Sequence, residues 1–585
     1  MGNQPSRTRP LRRPVAALCA TALAAVAATL AGVPAHAATT ANTLVVNANK
    51  TLRPVTHLAA GSLYGLANAS SPSNSLVAPL HPKTFVQMAP GGHQLPNGQS
   101  TPAGDALVVA PAAKAVGATV VVRMPDWYSD FPYQWVSWSD WLGAVDTQVA
   151  SVKASGATNI KSYELWNEPD WTWKAEAGSF TDGWTTTFRR VRSKDTTTPI
   201  SGPSYSAWNL SWMTTFLTAA KAADTVPDVI AWHELGGDDD IAAHVAAYRS
   251  LETSLGISPR PIDIEEYGTP SEVGVPGQLV GYVSKFERAG IDSAELAFWN
   301  QYGTLGDLLT TLNGSPNGAY WLYKWYGDMT GTMVTTTAPS QSGIDGAASV
   351  AADGRQVGVV FGGGSGSTAV RVDGLGSLSA FGSSAHVKLE YTPSTGRTTA
   401  VPAPYTVYEA DYPVVNGSVT VPVAMNPGDG YHLVVTPSGT STASLAGTYQ
   451  ITNRNSGLAL DTANGATAEG TLVKQALSTT ATHQSWTLVS AGPGLYKIRN
   501  VSSGLLLGVS NMTTADGGTA LIWGDNGTED HLWQILPAGN GSYEIANLNS
   551  GLLLGVTGMS TAAGAQVIQW SNNGTADHLW KLTAR

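Results

Sequence analysis

The chain has 585 residues, 43% of them hydrophobic and 13% charged, with a formal net charge of −10. That length exceeds what one hydrophobic core supports, so several domains are expected. The 19 Trp and 20 Tyr exclude a disordered chain, and the acidic balance argues against nucleic acid or an anionic membrane as partner.

At the N-terminus, Arg7, Arg9, Arg12 and Arg13 precede an Ala/Val/Leu-rich run, and Ala35-His36-Ala37 fits a small-x-small cleavage pattern. Residues 1–37 therefore read as a signal peptide, and a secreted, extracellular protein is expected. Cleavage removes four arginines and no acid, leaving 28 basic against 42 acidic residues, or −14. It also removes the only cysteine, Cys19, so the mature chain has no disulfide or thiolate site.

Residues 38–330 alternate short β-rich runs with helical stretches. ATVVVRMP, IKSYELWNEP, DVIAWHEL, PIDIEEYG and AELAFWNQY each end in polar or aromatic residues. Repeated units of this length predict a (β/α)8 TIM barrel, in which chemistry gathers at strand ends. Glu168 follows Asn167 where one strand ends, and Pro169 stops that strand. Asn167 is placed to hydrogen-bond a sugar hydroxyl. A second strand ends in Glu265-Glu266-Tyr267-Gly268. Alternation puts Ile262, Ile264 and Glu266 on one face and Asp263 and Glu265 on the other. Glu266 is the choice for the barrel mouth, with Glu265 expected to point toward the helices; a bulge would exchange them. Paired carboxylates are what glycosidic cleavage requires.

These two stretches resemble the clan A retaining glycoside hydrolases. The resemblance implies that Glu168, after the fourth barrel strand, is the acid/base and Glu266, at the seventh, the nucleophile. The 98-residue gap suits three intervening units. Within that clan the chain is most similar to family 39, then to families 30, 51 and 79. Arg123, Trp232-His233 and Trp299 end other strands and, with Asn167 and Tyr267, complete the candidate substrate-binding set. Fourteen of the 19 Trp fall between 127 and 325, as suits a cleft that stacks on sugar rings.

Residues 331–436 carry alternating or apolar runs between Gly/Pro/Asn turns, which predicts a β-sandwich, and TLVVNA (43–48) is a candidate extra strand for it. Residues 437–444 read as a linker. In 445–585, Tyr449, Tyr496 and Tyr543 recur every 47 residues, as do Trp486, Trp533 and Trp580. Three equal units predict a three-fold closed β domain with the tryptophans in its core. It resembles the ricin-B-type β-trefoil lectin (carbohydrate-binding module family 13). The resemblance implies sugar sites that pair an early Asp with a later aromatic and Asn. Here those elements are split. Asp461 stands in the first repeat with Ala476 at the aromatic position, while Trp523 with Asn526 and Trp570 with Asn573 stand in repeats whose Asp is replaced by Gly508 and Gly555.

No dinucleotide or phosphate loop and no paired-His metal spacing appears, and Asp238-Asp239-Asp240 lacks the alternating pattern of a Ca²⁺ loop. No cofactor and no metal is expected. The reading is a multidomain, monomeric, secreted glycoside hydrolase of plant-type polysaccharide or glycoside, with carbohydrate as its partner and no membrane attachment after signal cleavage. A non-catalytic carbohydrate-binding protein and a transglycosylase are the alternatives.

Overall fold

The computed structural model describes residues 42–312 and 314–585. The expected signal peptide lies outside the described residues. No helix among them is long and apolar enough to cross a membrane.

The first strand, β1 (Thr43–Pro54), leads into eight parallel strands: β2 (Gly61–Leu63), β3 (Thr84–Met88), β4 (Thr119–Arg123), β5 (Ile160–Glu164), β6 (Ile200–Tyr205), β7 (Val229–Glu234), β8 (Ile262–Tyr267) and β9 (Ser293–Leu296). They close into a barrel in chain order, β9 pairing β2. Helices such as Trp138–Ser155 and Pro276–Ala289 end at Gly156 and Gly290, both left-handed (φ 68° and 67°), where a side chain would cost energy. Between strands and helices lies an apolar layer that includes Trp141, Trp184, Trp232, Tyr163 and Tyr267.

Inside the barrel the packing is polar. Lys161 Nζ lies 2.7 Å from Asp263 and 2.6 Å from Ser293. Glu265 accepts from Ser204 Oγ at 2.6 Å. Glu265 therefore shares the inner face with Asp263, as alternation pairs them, and the expectation that it points toward the helices had the two faces the wrong way round; Ile262 and Ile264 pack on the helix side. The β7–β8 register slips between Trp232 and His233, and the β8–β9 register slips between Ile264 and Tyr267. These irregularities break the alternation after Glu265 and turn Glu266, one residue on, into the mouth rather than toward the helices.

The expected sandwich is one continuous nine-stranded sheet. Its later strands are β10 (Thr332–Thr337), β11 (Asp345–Val350), β12 (Val357–Gly362), β13 (Gly366–Asp373), β14 (Ser384–Thr392), β15 (Tyr405–Pro413), β16 (Val419–Met425) and β17 (Gly430–Thr436). The order is β15-β14-β17-β12-β11-β10-β1-β13-β16. β1 thus joins this sheet, antiparallel to β10 and parallel to β13. Both ends of the sheet contribute to one core, with Val372 and Val421 beside Tyr391 and Tyr408. The helix Pro276–Ala289 docks the sheet on the barrel. A Cβ at Gly277 would stand 2.3 Å from the Pro427 carbonyl oxygen, so only glycine allows this approach. Arg288 also pairs with Asp345 through two bonds, 2.7 and 2.6 Å.

The C-terminal domain repeats three times. Trp486, Trp533 and Trp580 are buried in its core, each indole donating to the carbonyl of Leu460, Leu507 or Leu554 at 2.9, 3.0 and 2.8 Å. Leu532, Leu536 and Leu553 of this domain share the core of the nine-stranded sheet. The linker runs along β15, with Thr442 N donating to Glu409 O.

Candidate active site

Glu168 follows β5 with φ 52° and ψ 53°, a left-handed backbone that costs a non-glycine residue about 1–3 kcal/mol. The neighbourhood holds it there. Its N–H donates to the Ser204 carbonyl, and its own carbonyl accepts from Trp171 and Thr172 at the start of the short helix Pro169–Thr172. Thr172 Oγ1 donates to the Asn167 carbonyl and accepts from the Trp166 indole. Glu168 Oε2 accepts from the Trp171 indole at 2.8 Å, and Oε1 lies 3.2 Å from His233 Nδ1.

Glu266 approaches from β8. Its Oε1 accepts from Arg123 Nη1 at 2.6 Å and lies 3.9 Å from His233 Nε2. Oxygens of Glu168 and Glu266 and a nitrogen of His233 all fall within 4.8 Å of one another. The other edge of the Arg123 guanidinium donates from Nε to Glu164 at 2.7 Å. One cation thus spans a carboxylate on β5 and the candidate nucleophile on β8.

The electrostatics follow from burial. Desolvation pushes the Glu164 carboxyl well above its usual range, with Arg123 opposing. Burial disfavours the His233 imidazolium, but the Glu266 charge and the bond to Glu168 outweigh it, so the net shift is upward. Below them Asp126, raised to about 7 by burial, accepts from Tyr64 at 2.5 Å and from Tyr133 at 3.1 Å. Three buried ligand-type groups in contact also describe a metal cradle, but the guanidinium already on Glu266 Oε1 opposes a second cation at that oxygen.

Glu168, Glu266, Arg123 and Asn167 line a pocket of about 200 Å³ with Tyr64, Gln94, Asn97, Phe131, Trp171, Phe298 and Trp299. Asn167 Oδ1 and Arg123 Nη2 are buried without a hydrogen-bond partner. Orphaned polar atoms are costly unless a ligand satisfies them. Of the candidates from sequence, Glu168, Glu266, Asn167, Arg123 and Trp299 line this pocket, and His233 touches both carboxylates. Two do not belong. Trp232 is fully buried and donates to Glu234 at 2.7 Å, and Tyr267 is buried against the Ala59 carbonyl and Tyr323. Both side chains fall on the helix-facing side of their strands.

Sequence reasoning passed over Glu164, Tyr64 and Gln94, while Trp171 is one of the tryptophans it offered for a sugar cleft. Glu164 ends β5 four residues before Glu168, and its strand-end position is the signal that was available. Gln94 and Asn97 come from the loop 89–98, whose Gly/Pro composition carries no periodicity to read.

In the C-terminal domain, Trp523 and Trp570 are 41% and 40% exposed. Each faces a glycine of the preceding repeat, Gly470 or Gly517. The adjacent carboxylates, Glu469 and Asp516, accept from Gly524 N at 3.1 Å and Ser571 N at 2.6 Å. Where ricin-type sites carry the early Asp, His531 and His578 crowd Gly508 and Gly555. Asp461 is nearly buried and committed to His483 and Gln484. Asn526 and Asn573 accept from Thr528 and Thr575 within their own turns.

The glycosyl hydrolase catalytic core family matches residues 132–278, which hold both Glu168 and Glu266, and the ricin-type β-trefoil lectin domain-like family matches 434–523, 483–570 and 529–585. Residues 132–278 of the barrel are thus similar to a glycosyl hydrolase catalytic core. The chain is 38% identical to N2152 from Neocallimastix frontalis, covering 68% of this chain and all of that one with a TM-score of 0.64. It is 33% identical over 329 residues to the 3-O-alpha-D-galactosyl-alpha-L-arabinofuranosidase of Bifidobacterium longum subsp. longum, covering 54% of this chain and 28% of that protein. It is 26% identical over 454 residues to the 3-O-beta-L-arabinopyranosyl-alpha-L-arabinofuranosidase of Bifidobacterium pseudocatenulatum, covering 65% and 46%. The chain thus spans between about a quarter and a half of the length of these curated relatives.

Proposed function

We propose that this chain is a secreted, retaining glycosidase that removes arabinofuranosyl units from the ends of plant-type polysaccharide. The observation that carries the reading is the pair Glu168 and Glu266, with oxygens within 4.8 Å across a small pocket. Retaining enzymes hold their carboxyl groups about 5–5.5 Å apart, whereas inverting ones leave room for a water. The arabinofuranosyl assignment follows the names of the two bifidobacterial relatives. Release from chain ends follows from a 200 Å³ pocket, smaller than the roughly 300–1,000 Å³ of sites that enclose whole ligands.

In this mechanism a Glu266 oxygen forms a bond to the anomeric carbon as the glycosidic C–O bond breaks. Glu168 gives its proton to the departing oxygen. Water then attacks the anomeric carbon, Glu168 takes the proton, and the ester to Glu266 breaks. Arg123 orients Glu266 through its hydrogen bond to Oε1. Asn167 and the free Arg123 nitrogen meet substrate hydroxyls, and Trp299 stacks against the ring. The C-terminal domain binds carbohydrate and keeps the enzyme near its polymer, raising local concentration without adding chemistry.

The test is release of nitrophenol from para-nitrophenyl α-L-arabinofuranoside by the wild type, Glu168→Gln and Glu266→Gln, with the product anomer followed by NMR. Release by the wild type with retained configuration, and loss in Glu266→Gln, is the expected outcome. An inverted product or an active Glu266→Gln variant overturns the assignment.

A further inference from the structure

A second cleft, of about 570 Å³, lies beside the small pocket. Leu235 lines both, and the inner wall of the larger one is His233, which touches Glu168 and Glu266. One flank is the turn after β7 with Trp208 and His244; the other is the 341–343 segment between β10 and β11. The cleft therefore starts at the reacting groups and runs out along the boundary between barrel and sheet. The sheet domain is a wall of it, not only a support.

The size and lining say what it takes. The pocket at Glu266 has room for about one ring, while the cleft falls within the range of sites that enclose whole ligands. Trp208 is half-buried and stacked on His244, with ring centres 5.8 Å apart and planes at 25°. Its face is the kind of surface that packs on the C–H side of a sugar. Six carboxylates line the cleft, Glu234, Asp238, Asp239, Asp240, Glu272 and Asp345. Most are already held by the protein. Lys285 lies 3.0 Å from Asp238, Arg288 pairs with Asp345, and Glu234 meets His244 at 2.9 Å. Such carboxylates keep lone pairs for hydroxyl groups, while their summed charge repels anions.

We propose that this cleft binds the part of the glycan that the small pocket leaves outside, and that it takes neutral, hydroxyl-rich chains in preference to uronate-bearing ones. This rests on the glycosidase reading above. Gly236 supplies the test. A Cβ there meets nothing within 4 Å, and its backbone is not left-handed, so Gly236→Trp adds bulk at the cleft with no clash at Cβ and no backbone strain. The substrates are para-nitrophenyl α-L-arabinofuranoside, native uronate-bearing arabinogalactan and the same polymer after carboxyl reduction.

The expected result is that Gly236→Trp lowers kcat/KM on the reduced polymer at least tenfold more than on the aryl glycoside, mainly through KM. Trp208→Ala should move the same ratio in the same direction. The wild type should prefer the reduced polymer severalfold over the native one. Equal losses on polymer and aryl glycoside, or no loss on either, overturn the cleft proposal while leaving the glycosidase reading standing. A wild type that prefers the uronate-bearing polymer overturns the charge selection. A wild type inert on all three overturns the glycosidase reading and this proposal with it.

Discussion

Replacing Arg123 by methionine separates its two tasks, holding Glu266 and compensating Glu164. The guanidinium is buried, with Nε 2.7 Å from Glu164 and Nη1 2.6 Å from Glu266. Removing one member of a buried ion pair costs about 3–5 kcal/mol, because the other charge is left without compensation. The destabilisation depends on pH. Arg123 opposes the burial that raises Glu164, so in its absence that carboxyl rises further. A carboxyl whose folded value is raised binds a proton that the unfolded chain releases. Its contribution is therefore intact in acid and lost as pH rises. Arg123→Met should approach wild-type stability near the acid end of the folded range and fall away from it toward neutral pH. On activity, a charge-assisted hydrogen bond contributes about 1.5–3 kcal/mol, so kcat/KM should fall about 10- to 150-fold. The double variant Arg123→Met/Glu164→Gln should recover much of the stability and none of the activity. Thermal unfolding and kcat/KM on para-nitrophenyl α-L-arabinofuranoside, both across pH, read these effects. An undiminished kcat/KM refutes the role at Glu266. A double variant as unstable as the single one refutes the role at Glu164.

Three further outcomes are expected. Trp171→Phe keeps an aromatic ring at the pocket but removes the indole donor to Glu168 Oε2; the loss of one hydrogen bond, about 0.5–1.5 kcal/mol, should lower kcat/KM about two- to tenfold, and an unchanged kcat/KM counts against the contact. Trp523→Ala and Trp570→Ala should each weaken retention on immobilised arabinogalactan a few-fold, the roughly 0.5–1.5 kcal/mol of an aromatic contact, with a larger loss when combined; unchanged retention of the double variant excludes these faces as sugar platforms. At the boundary between sheet and C-terminal domain, burial and then the Asp429 charge push Glu544 to about 8, and burial pushes Asp429 to about 7. Both folded values are raised, so wild-type stability should be full near pH 4 and decline by a few kcal/mol, roughly, as pH rises through 8. Glu544→Gln should flatten that decline, and parallel curves refute the assignment.

The parts of this molecule that were legible in the sequence are those where periodicity carries the information. Five apolar runs with polar or aromatic ends gave a parallel barrel, because a strand covered by helices must be apolar on that face and carries its functional groups at its exit. Three 47-residue units gave the C-terminal domain outright, since Trp486, Trp533 and Trp580 occupy one environment in the structure as they do in the repeat. The polar barrel interior was not legible. Nothing local marks Lys161, Asp263, Glu265 and Glu295 as one buried cluster until the barrel closes and brings strands a hundred residues apart within a hydrogen bond of one another.

The site residues that sequence misplaced fail for two reasons. Trp232 and His233 are adjacent on β7, so alternation sends only one of them inward: Trp232 packs against the helices and His233 reaches the carboxylates. Alternation also assigns a face only while the register holds, and the β7–β8 pairing slips where β8 passes from Ile264 to Glu266. On β8 the irregularity is what lets Glu265 and Glu266, adjacent in sequence, both serve the inner side of the barrel, one in its polar core and one at its mouth. Glu168 makes the same point with its own backbone, since its left-handed conformation aims a carboxylate in a direction no regular strand would give it. Irregularity and chemistry coincide here because a regular strand presents its side chains only up or down. A pair of carboxylates that must converge on one carbon needs a third direction.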